Sequence, residues 1–138
     1  MKRPVDVKIF EDGQAIYWLE NEELLCSICK PGRRNLQETK NSFKLIEKIT
    51  KGRKVNLLSD ISLAGQGSKD IREFSISVSP NYFKSMALIT SSAFGSLLGN
   101  MFLSLSGQPL PMQLFKNEKE ARKWINSNLQ SNLRESAR

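Results

Sequence analysis

Apolar and polar residues alternate with a period of two at the start of the chain. Val5, Val7 and Ile9 are separated by polar residues, which predicts an opening strand. Residues 15–19 and 23–30 are predicted as a second and a third strand, with turn residues before and after each. Short turns join antiparallel neighbours, so these three segments predict an antiparallel meander.

The apolar period changes to that of a helix after Asn35. Residues 36–51 have one apolar side, with Asn35 as the predicted N-cap and Gly52 as the residue that ends the helix. Residues 55–60 then form an apolar segment typical of a central strand.

A loop over residues 62–67 is followed by a predicted helix over residues 68–78. We expect this helix to end before Pro80, because proline disfavours a helical conformation in the residue that precedes it.

The stretch from Ser85 to Phe115 contains no charged residue, although 25% of the chain is charged. Its two short apolar segments, 86–90 and 112–115, are typical of buried strands. Between them the apolar residues recur at helical spacing and predict an amphipathic helix. They are Phe94, Leu97, Leu98, Met101, Phe102 and Leu105. Small and polar residues keep the stretch short of about 18 consecutive apolar positions, so we predict no transmembrane span.

The order of elements predicts the fold class. A last helix follows Asn117, with Glu120 at the capping-box position and Ala121, Trp124, Ile125 and Leu129 on its buried side. Three strands are thus followed by βαβαβα-type alternation, which predicts an α/β domain with a mixed sheet. That sheet is antiparallel at its opening edge, parallel beyond it, and covered by about four helices. We expect one domain over residues 1–129 and a polar, frayed tail over residues 130–138.

Composition agrees with a single globular domain. The chain has 138 residues, of which 39% are hydrophobic, and a net charge of +7 that favours anionic partners without specifying one. The basic residues at the N-terminus are not followed by an apolar stretch, so we predict a cytoplasmic protein with no secretory signal.

Metal binding and catalysis have little support in the sequence. Cys26 and Cys29 are the two cysteines, and on a strand a spacing of three places their side chains on opposite faces. There is no histidine, which removes the commonest general base and leaves too few ligands for zinc. We predict core cysteines, no metal, no cofactor and a non-enzymatic protein.

A glycine-containing loop is the first candidate site. Asp60 ends a predicted strand, and Gly65, Gly67 and Ser68 follow it before a predicted helix. Backbone amides at such a helix start can bind an anion. The alternative is an ordinary loop in which Ser68 caps the helix.

Two further surfaces are candidates. Lys40, Lys44 and Lys48 form a basic ridge, either a solvated helix face or a site for phosphates or acidic lipid headgroups. No nucleic-acid-binding motif accompanies these lysines, so nucleic acid is not favoured. The predicted helix over residues 94–105 either packs in the core or forms an apolar lid or dimer surface. The residues proposed for that lid are Phe94, Leu98, Met101 and Phe102.

Several segments together resemble the STAS/SEC14-like bacterial proteins, also described as SpoIIAA-like after the anti-sigma-factor antagonists. The segments are LLSDI, SKDIREF, MALITSSAFGSLLGNMFL, PLPMQLF and NEKEARKWI. The resemblance covers residues 5–129 and implies the mixed α/β fold predicted above.

The resemblance also implies two kinds of function. The antagonists carry a phosphoacceptor serine at the start of the helix after a central strand, which makes Ser68 the candidate here. The local sequence GQGSKD departs from their Asp-Ser-Gly-type motif. We therefore expect a bacterial interaction or regulatory domain that binds a protein partner or a second copy of itself. The alternative, implied by the SEC14-like part, is a module for a lipid, a small apolar ligand or an anionic membrane surface.

Overall fold

The computed structural model describes residues 1–64, 68–91 and 110–136, with side chains described as far as Ser127. Within these residues six strands and three helices follow one another along the chain. The strands are β1 (Phe10–Glu11), β2 (Ala15–Asn21), β3 (Leu24–Cys29), β4 (Val55–Asp60), β5 (Phe83–Ile89) and β6 (Met112–Phe115). The helices are α1 (Leu36–Thr50), α2 (Lys69–Tyr82) and α3 (Glu118–Ser136).

The six strands form one sheet in the order of the sequence. The pairs β1–β2 and β2–β3 are antiparallel, and the pairs from β3 to β6 are parallel. The predicted mixed sheet with an antiparallel opening edge is therefore confirmed. Helices α1 and α2 connect consecutive parallel strands and contact each other, which places both on the same face of the sheet.

Each face of the sheet has its own hydrophobic core. On the face covered by α1 and α2, the buried side chains include Tyr17, Leu25, Ile46, Leu57 and Met86. On the opposite face α3 contributes Ala121 and Ile125, which pack with Trp18, Cys26, Leu58 and Ala87. The division follows from strand geometry, because neighbouring residues of a strand point to opposite faces.

The helix ends confirm the predicted caps. The Asn35 side chain accepts a hydrogen bond from the Glu38 amide at 2.8 Å, and the Asn117 side chain accepts one from Glu120 at 2.9 Å. At the end of α1, Lys51 has a φ of 56° and Gly52 a φ of 76°, so the chain leaves the helix in the left-handed conformation.

The predicted opening strand over Val5–Ile9 is wrong. The first strand is the two-residue β1, and Val5 is 92% exposed. Met1 and Ile9 instead pack against the core on the α3 face, and the Met1 ammonium forms an ion pair with Asp60 at 2.8 Å. The N-terminal residues therefore make these contacts rather than pair with β2 as a strand. The alternation of apolar and polar residues over positions 5–9 does not distinguish the two arrangements.

The predicted end of the second helix before Pro80 is also wrong. Helix α2 continues to Tyr82, and the Phe83 amide donates to the Ser79 carbonyl to close its last turn. Because Pro80 lies in that last turn, its missing N–H removes one hydrogen bond where the helix is about to end, and the cost is limited. Strand β5 then begins at Phe83, three residues before the predicted start at Met86.

The predicted helix over residues 94–105 lies outside the described residues. The described part therefore contains three helices, against about four expected for the whole chain. None of those three is long and apolar enough to cross a membrane.

Candidate functional site

A cavity of about 270 Å³ lies between the sheet and helices α1 and α2. Its lining is mainly apolar, and each surrounding element contributes to it. The apolar side chains that line it include Phe43, Ile46, Leu57, Ile71, Phe83, Met86 and Leu88. A pocket with this lining and a few polar groups is the usual form of a small-molecule site.

Small side chains create the space. Five serines line the cavity at positions where larger residues would close it, namely Ser27, Ser42, Ser59, Ser75 and Ser79. The Ser27 hydroxyl donates to the Ser59 hydroxyl at 2.7 Å, and the Ser79 hydroxyl donates to the Ser75 carbonyl at 2.6 Å. These bonds offset the cost of burying the hydroxyl groups.

A hydrogen-bond network centred on Asp12 holds one wall of the cavity. One Asp12 oxygen accepts from the backbone amides of Gln14 and Ala15 at 2.8 and 2.9 Å. The other accepts from the Ser42 hydroxyl at 2.7 Å and from the Tyr17 hydroxyl at 3.2 Å. Burial raises the pKa of Tyr17 well above its usual value, so its hydroxyl remains a neutral donor.

Two arginines line the cavity as well. Arg34 donates to the carbonyls of Gln14 and Lys30 at 2.9 and 2.8 Å. These two bonds fix its guanidinium group near the first residue of α1. Arg72 lies in the first turn of α2 and is half-buried. Among the described residues that line the cavity, these two carry the only formal charges at neutral pH.

The polar end of the cavity lies at the carboxyl edge of the parallel strands. Cys29 is the last residue of β3, and Ile61 and Ala64 follow the end of β4. Both helices on this face begin at the same edge, because each follows a parallel strand. Open α/β sheets bind ligands at this edge.

The two cysteines lie on opposite faces of β3, as predicted. Cys26 is fully buried in the core under α3, whereas Cys29 lines the cavity. Burial raises the pKa of Cys26 to about 12 and also raises the pKa of Cys29. Both thiols are free and protonated at neutral pH, which makes them poor nucleophiles. The described residues contain no cluster of three or more potential metal ligands.

Asp60 ends β4, as predicted, and its carboxylate stabilises the loop that follows. It accepts hydrogen bonds from the Met1 ammonium at 2.8 Å and from the Ser62 amide at 3.0 Å. Burial acts to raise the pKa of Asp60, but these hydrogen bonds outweigh it and hold the pKa below its usual value. The Asp60 carboxylate thus already has hydrogen-bond donors within the protein.

Ser68 is the N-cap of α2. It is exposed, and its hydroxyl accepts from the Ile71 amide at 3.4 Å. Gly65 and Gly67, the other residues proposed for this loop, lie outside the described residues. The structure places Ser68 at the same edge of the sheet as the cavity, one helical turn before Arg72.

The basic ridge is separate from the cavity. Lys40, Lys44 and Lys48 are exposed on α1, and none of them forms an ion pair with a described residue. The Lys40 ammonium lies 5.6 Å from the centre of the Phe74 ring, which is a cation–π contact. The lid residues Phe94, Leu98, Met101 and Phe102 lie outside the described part of the chain.

Sequence reasoning missed the cavity. It assigned no role to the lining serines or to Arg34 and Arg72. A usable signal was the pair of serines near the ends of two apolar strands, Ser27 in LLCSIC and Ser59 in VNLLSD. Hydroxyls at inward-facing strand positions indicate either a polar partner across the sheet or a space beside it.

The arrangement of sheet and helices defines an α/β domain of the SpoIIAA-like fold. It matches the crystal structure of an uncharacterized protein of the DUF3478 family with a SpoIIAA-like fold from Shewanella loihica PV-4. The TM-score is 0.56 at 15% identity, over 91% of this chain and 98% of that one. By sequence, the chain belongs to the family described as a domain of unknown function, DUF7793, whose profile matches residues 17–129. No curated protein sequence is significantly similar to it.

Proposed function

We propose that this protein is a binding domain for a small, largely apolar molecule held in the cavity between the sheet and helices α1 and α2. The observation that carries the proposal is the cavity of about 270 Å³, with its apolar lining and its few polar groups at one end. A cavity of ~150 Å³ binds benzene, so this one suits a ligand of about a dozen non-hydrogen atoms.

The apolar lining supports this proposal. The cavity is partly open to solvent, so without a ligand its apolar side chains, such as Phe43, Ile46 and Leu57, would contact water. A ligand that displaces this water gains about 25 cal/mol for each Å² of apolar surface removed from water.

The chemistry of the lining favours binding over catalysis. Tyr17 and Cys29 both remain protonated at neutral pH, and the arginines remain charged. The described lining therefore offers no general base at neutral pH. The SEC14-like part of the resemblance, which implies a lipid or another apolar ligand, points the same way.

The test uses two serines of α2 that face different environments. Ser75 lines the cavity, whereas Ser77 is exposed. Ser75→Leu places a larger, branched side chain in the cavity and reduces its volume, and Ser77→Leu makes the same substitution outside the cavity. Titration with octan-1-ol and with octanoate, followed by amide NMR shifts, should move the signals of cavity residues such as Leu57 and Ser59.

Higher probe concentrations should be needed to produce these shifts in Ser75→Leu, whereas Ser77→Leu should respond like the unmodified protein. Shifts confined to other regions, or an equal response in both variants, would show that this cavity is not the site. Chemical denaturation of both variants checks that each is folded.

A regulatory domain of the STAS type that binds a protein partner is the second candidate. The observation that favours it is the exposed Ser68 at the N-cap of α2. A phosphate there would add about −1.5 to −2 charges at the positive end of a helix. Partner binding, including self-association, should then differ between Ser68→Ala and Ser68→Asp. Identical behaviour of the two variants in crosslinking and sedimentation assays would eliminate the switch.

A further inference from the structure

We infer that the ligand of this cavity is an amphiphile with an anionic end, and that a carboxylate on a short alkyl chain represents its chemical class. The inference rests on the proposed function and adds the polarity and orientation of the ligand. It comes from the distribution of charge and apolar surface along the cavity.

The charged groups lie together at one edge of the sheet. Arg34 follows β3, and Arg72 follows β4 in the first turn of α2, so both are at the carboxyl edge of the parallel strands. No aspartate or glutamate is among the described residues that line the cavity. Asp12 and Asp60 lie at the same edge, but their carboxylates already accept hydrogen bonds from the protein itself. The amino ends of α1 and α2 are at this edge too, and their dipoles add to the positive potential.

The guanidinium group of Arg34 is held in position by neutral groups. Its two terminal nitrogens donate to the carbonyls of Gln14 and Lys30, and it forms no ion pair with a described residue. A guanidinium has five N–H donors in a fixed plane, so donors remain after these two bonds. A cation that is fixed before binding loses little freedom when it meets a carboxylate.

The opposite end of the cavity is apolar. Phe83 begins β5 and Ile46 lies near the end of α1, so both are at the amino edge of the parallel strands. Met86 and Leu57 continue this surface along the sheet. A ligand with its alkyl chain directed toward Phe83 would therefore have its head group near Ser59, Arg34 and Arg72.

The test compares two probes of the same chain length, octanoate and octan-1-ol, by isothermal titration calorimetry. Each has about ten non-hydrogen atoms, within the size estimated for the cavity. Octanoate should bind at least about tenfold more tightly than octan-1-ol, because hydrogen bonds to charged groups are stronger than those to neutral ones.

Three variants separate a local effect of the arginines from an effect of net charge. Arg72→Gln should weaken octanoate binding about tenfold and leave octan-1-ol binding unchanged. Lys69→Gln removes the same charge from an exposed position of α2 and should change neither affinity. Arg34→Lys keeps the charge but loses the planar donors, so it should weaken octanoate binding as well.

The possible results are distinguishable. Octan-1-ol binding as tightly as octanoate, or an octanoate affinity unchanged in Arg72→Gln, would overturn the anionic end while leaving the cavity as a binding site. Binding of neither probe to a folded protein would overturn the proposed function together with this inference.

Discussion

The hydroxyls of Ser27 and Ser59 lie 2.7 Å apart across the parallel pair of β3 and β4, on the floor of the cavity. Both residues are buried, so each hydroxyl depends on protein partners to replace water. The pair keeps the floor polar and leaves open a space that two larger side chains would occupy.

This pair predicts a non-additive effect on stability. Ser27→Ala and Ser59→Ala should each lower the free energy of unfolding by about 1 kcal/mol, since each leaves one buried hydroxyl without its partner. In the double variant, the loss in the free energy of unfolding should be smaller than the sum of the two single losses, by a coupling energy of ~0.5–1 kcal/mol. Urea unfolding of the four proteins measures this cycle, and strictly additive costs would show that the hydrogen bond contributes nothing.

Asp12→Ala should be among the more destabilising substitutions in the described part of the chain. It removes the acceptor of four hydrogen bonds, two from backbone amides and two from the hydroxyls of Tyr17 and Ser42. We expect a loss of about 2–4 kcal/mol, because several buried donors lose their partner at once. The exposed Asp6 provides the control, and Asp6→Ala should change stability by less than about 0.5 kcal/mol in the same unfolding assay.

The fold could be predicted where local pattern and tertiary packing agree. Strands β4 and β6 and the caps Asn35 and Asn117 follow from apolar runs, capping side chains and their spacing. The prediction failed where distant contacts decide the conformation. Packing of Met1 and Ile9 on the α3 face replaces the expected opening strand.

The cavity could not be predicted from local pattern. It forms where serines from separate elements face one another, as Ser27 and Ser59 do across 32 positions of sequence. Ser75 lines the same cavity from α2, which requires that helix to be packed on the sheet. Arg34 and Arg72 are brought to one edge by the parallel connections, and a linear pattern of charges does not show this.

The Cys26 thiol should be almost unreactive in the folded protein. With the pKa of Cys26 raised to about 12 by burial, its thiolate fraction at pH ~8 is about 10⁻⁴, against roughly a quarter for an unperturbed cysteine. In a Cys29→Ser variant, Cys26 should react with 5,5′-dithiobis(2-nitrobenzoate) at least about 100-fold more slowly in buffer than in urea. Comparable rates in the two solvents would contradict the buried position of Cys26.

Asp60 should contribute to stability in a pH-dependent way. The pKa of Asp60 is lower in the folded chain than its usual value, so the folded state favours the charged form. The contribution is complete above the unfolded pKa of ~3.9 and is lost as the pH falls through the lower folded value. Asp60→Asn should therefore reduce stability near neutral pH and flatten its decrease below pH ~4. Unfolding curves at several acidic pH values measure how steeply the free energy of unfolding falls with pH. An equally steep fall in Asp60→Asn would contradict the lowered pKa of Asp60.

The basic ridge of Lys40, Lys44 and Lys48 should bind the protein to anionic vesicles at low salt. These side chains are exposed on one side of α1, and none forms an ion pair with a described residue. Each lysine near an anionic surface contributes ~1 kcal/mol, so replacing all three by glutamine should weaken binding by about two orders of magnitude.

A flotation assay with phosphatidylserine-containing vesicles measures this binding, and added salt should reduce it. The control replaces Lys116, Lys119 and Lys123, which are also exposed and change the net charge equally. An equal loss in both triple variants would mean that net charge alone attracts the protein to the membrane. If the unmodified protein fails to float at low salt, the ridge does not bind anionic lipid and is a solvated face of α1.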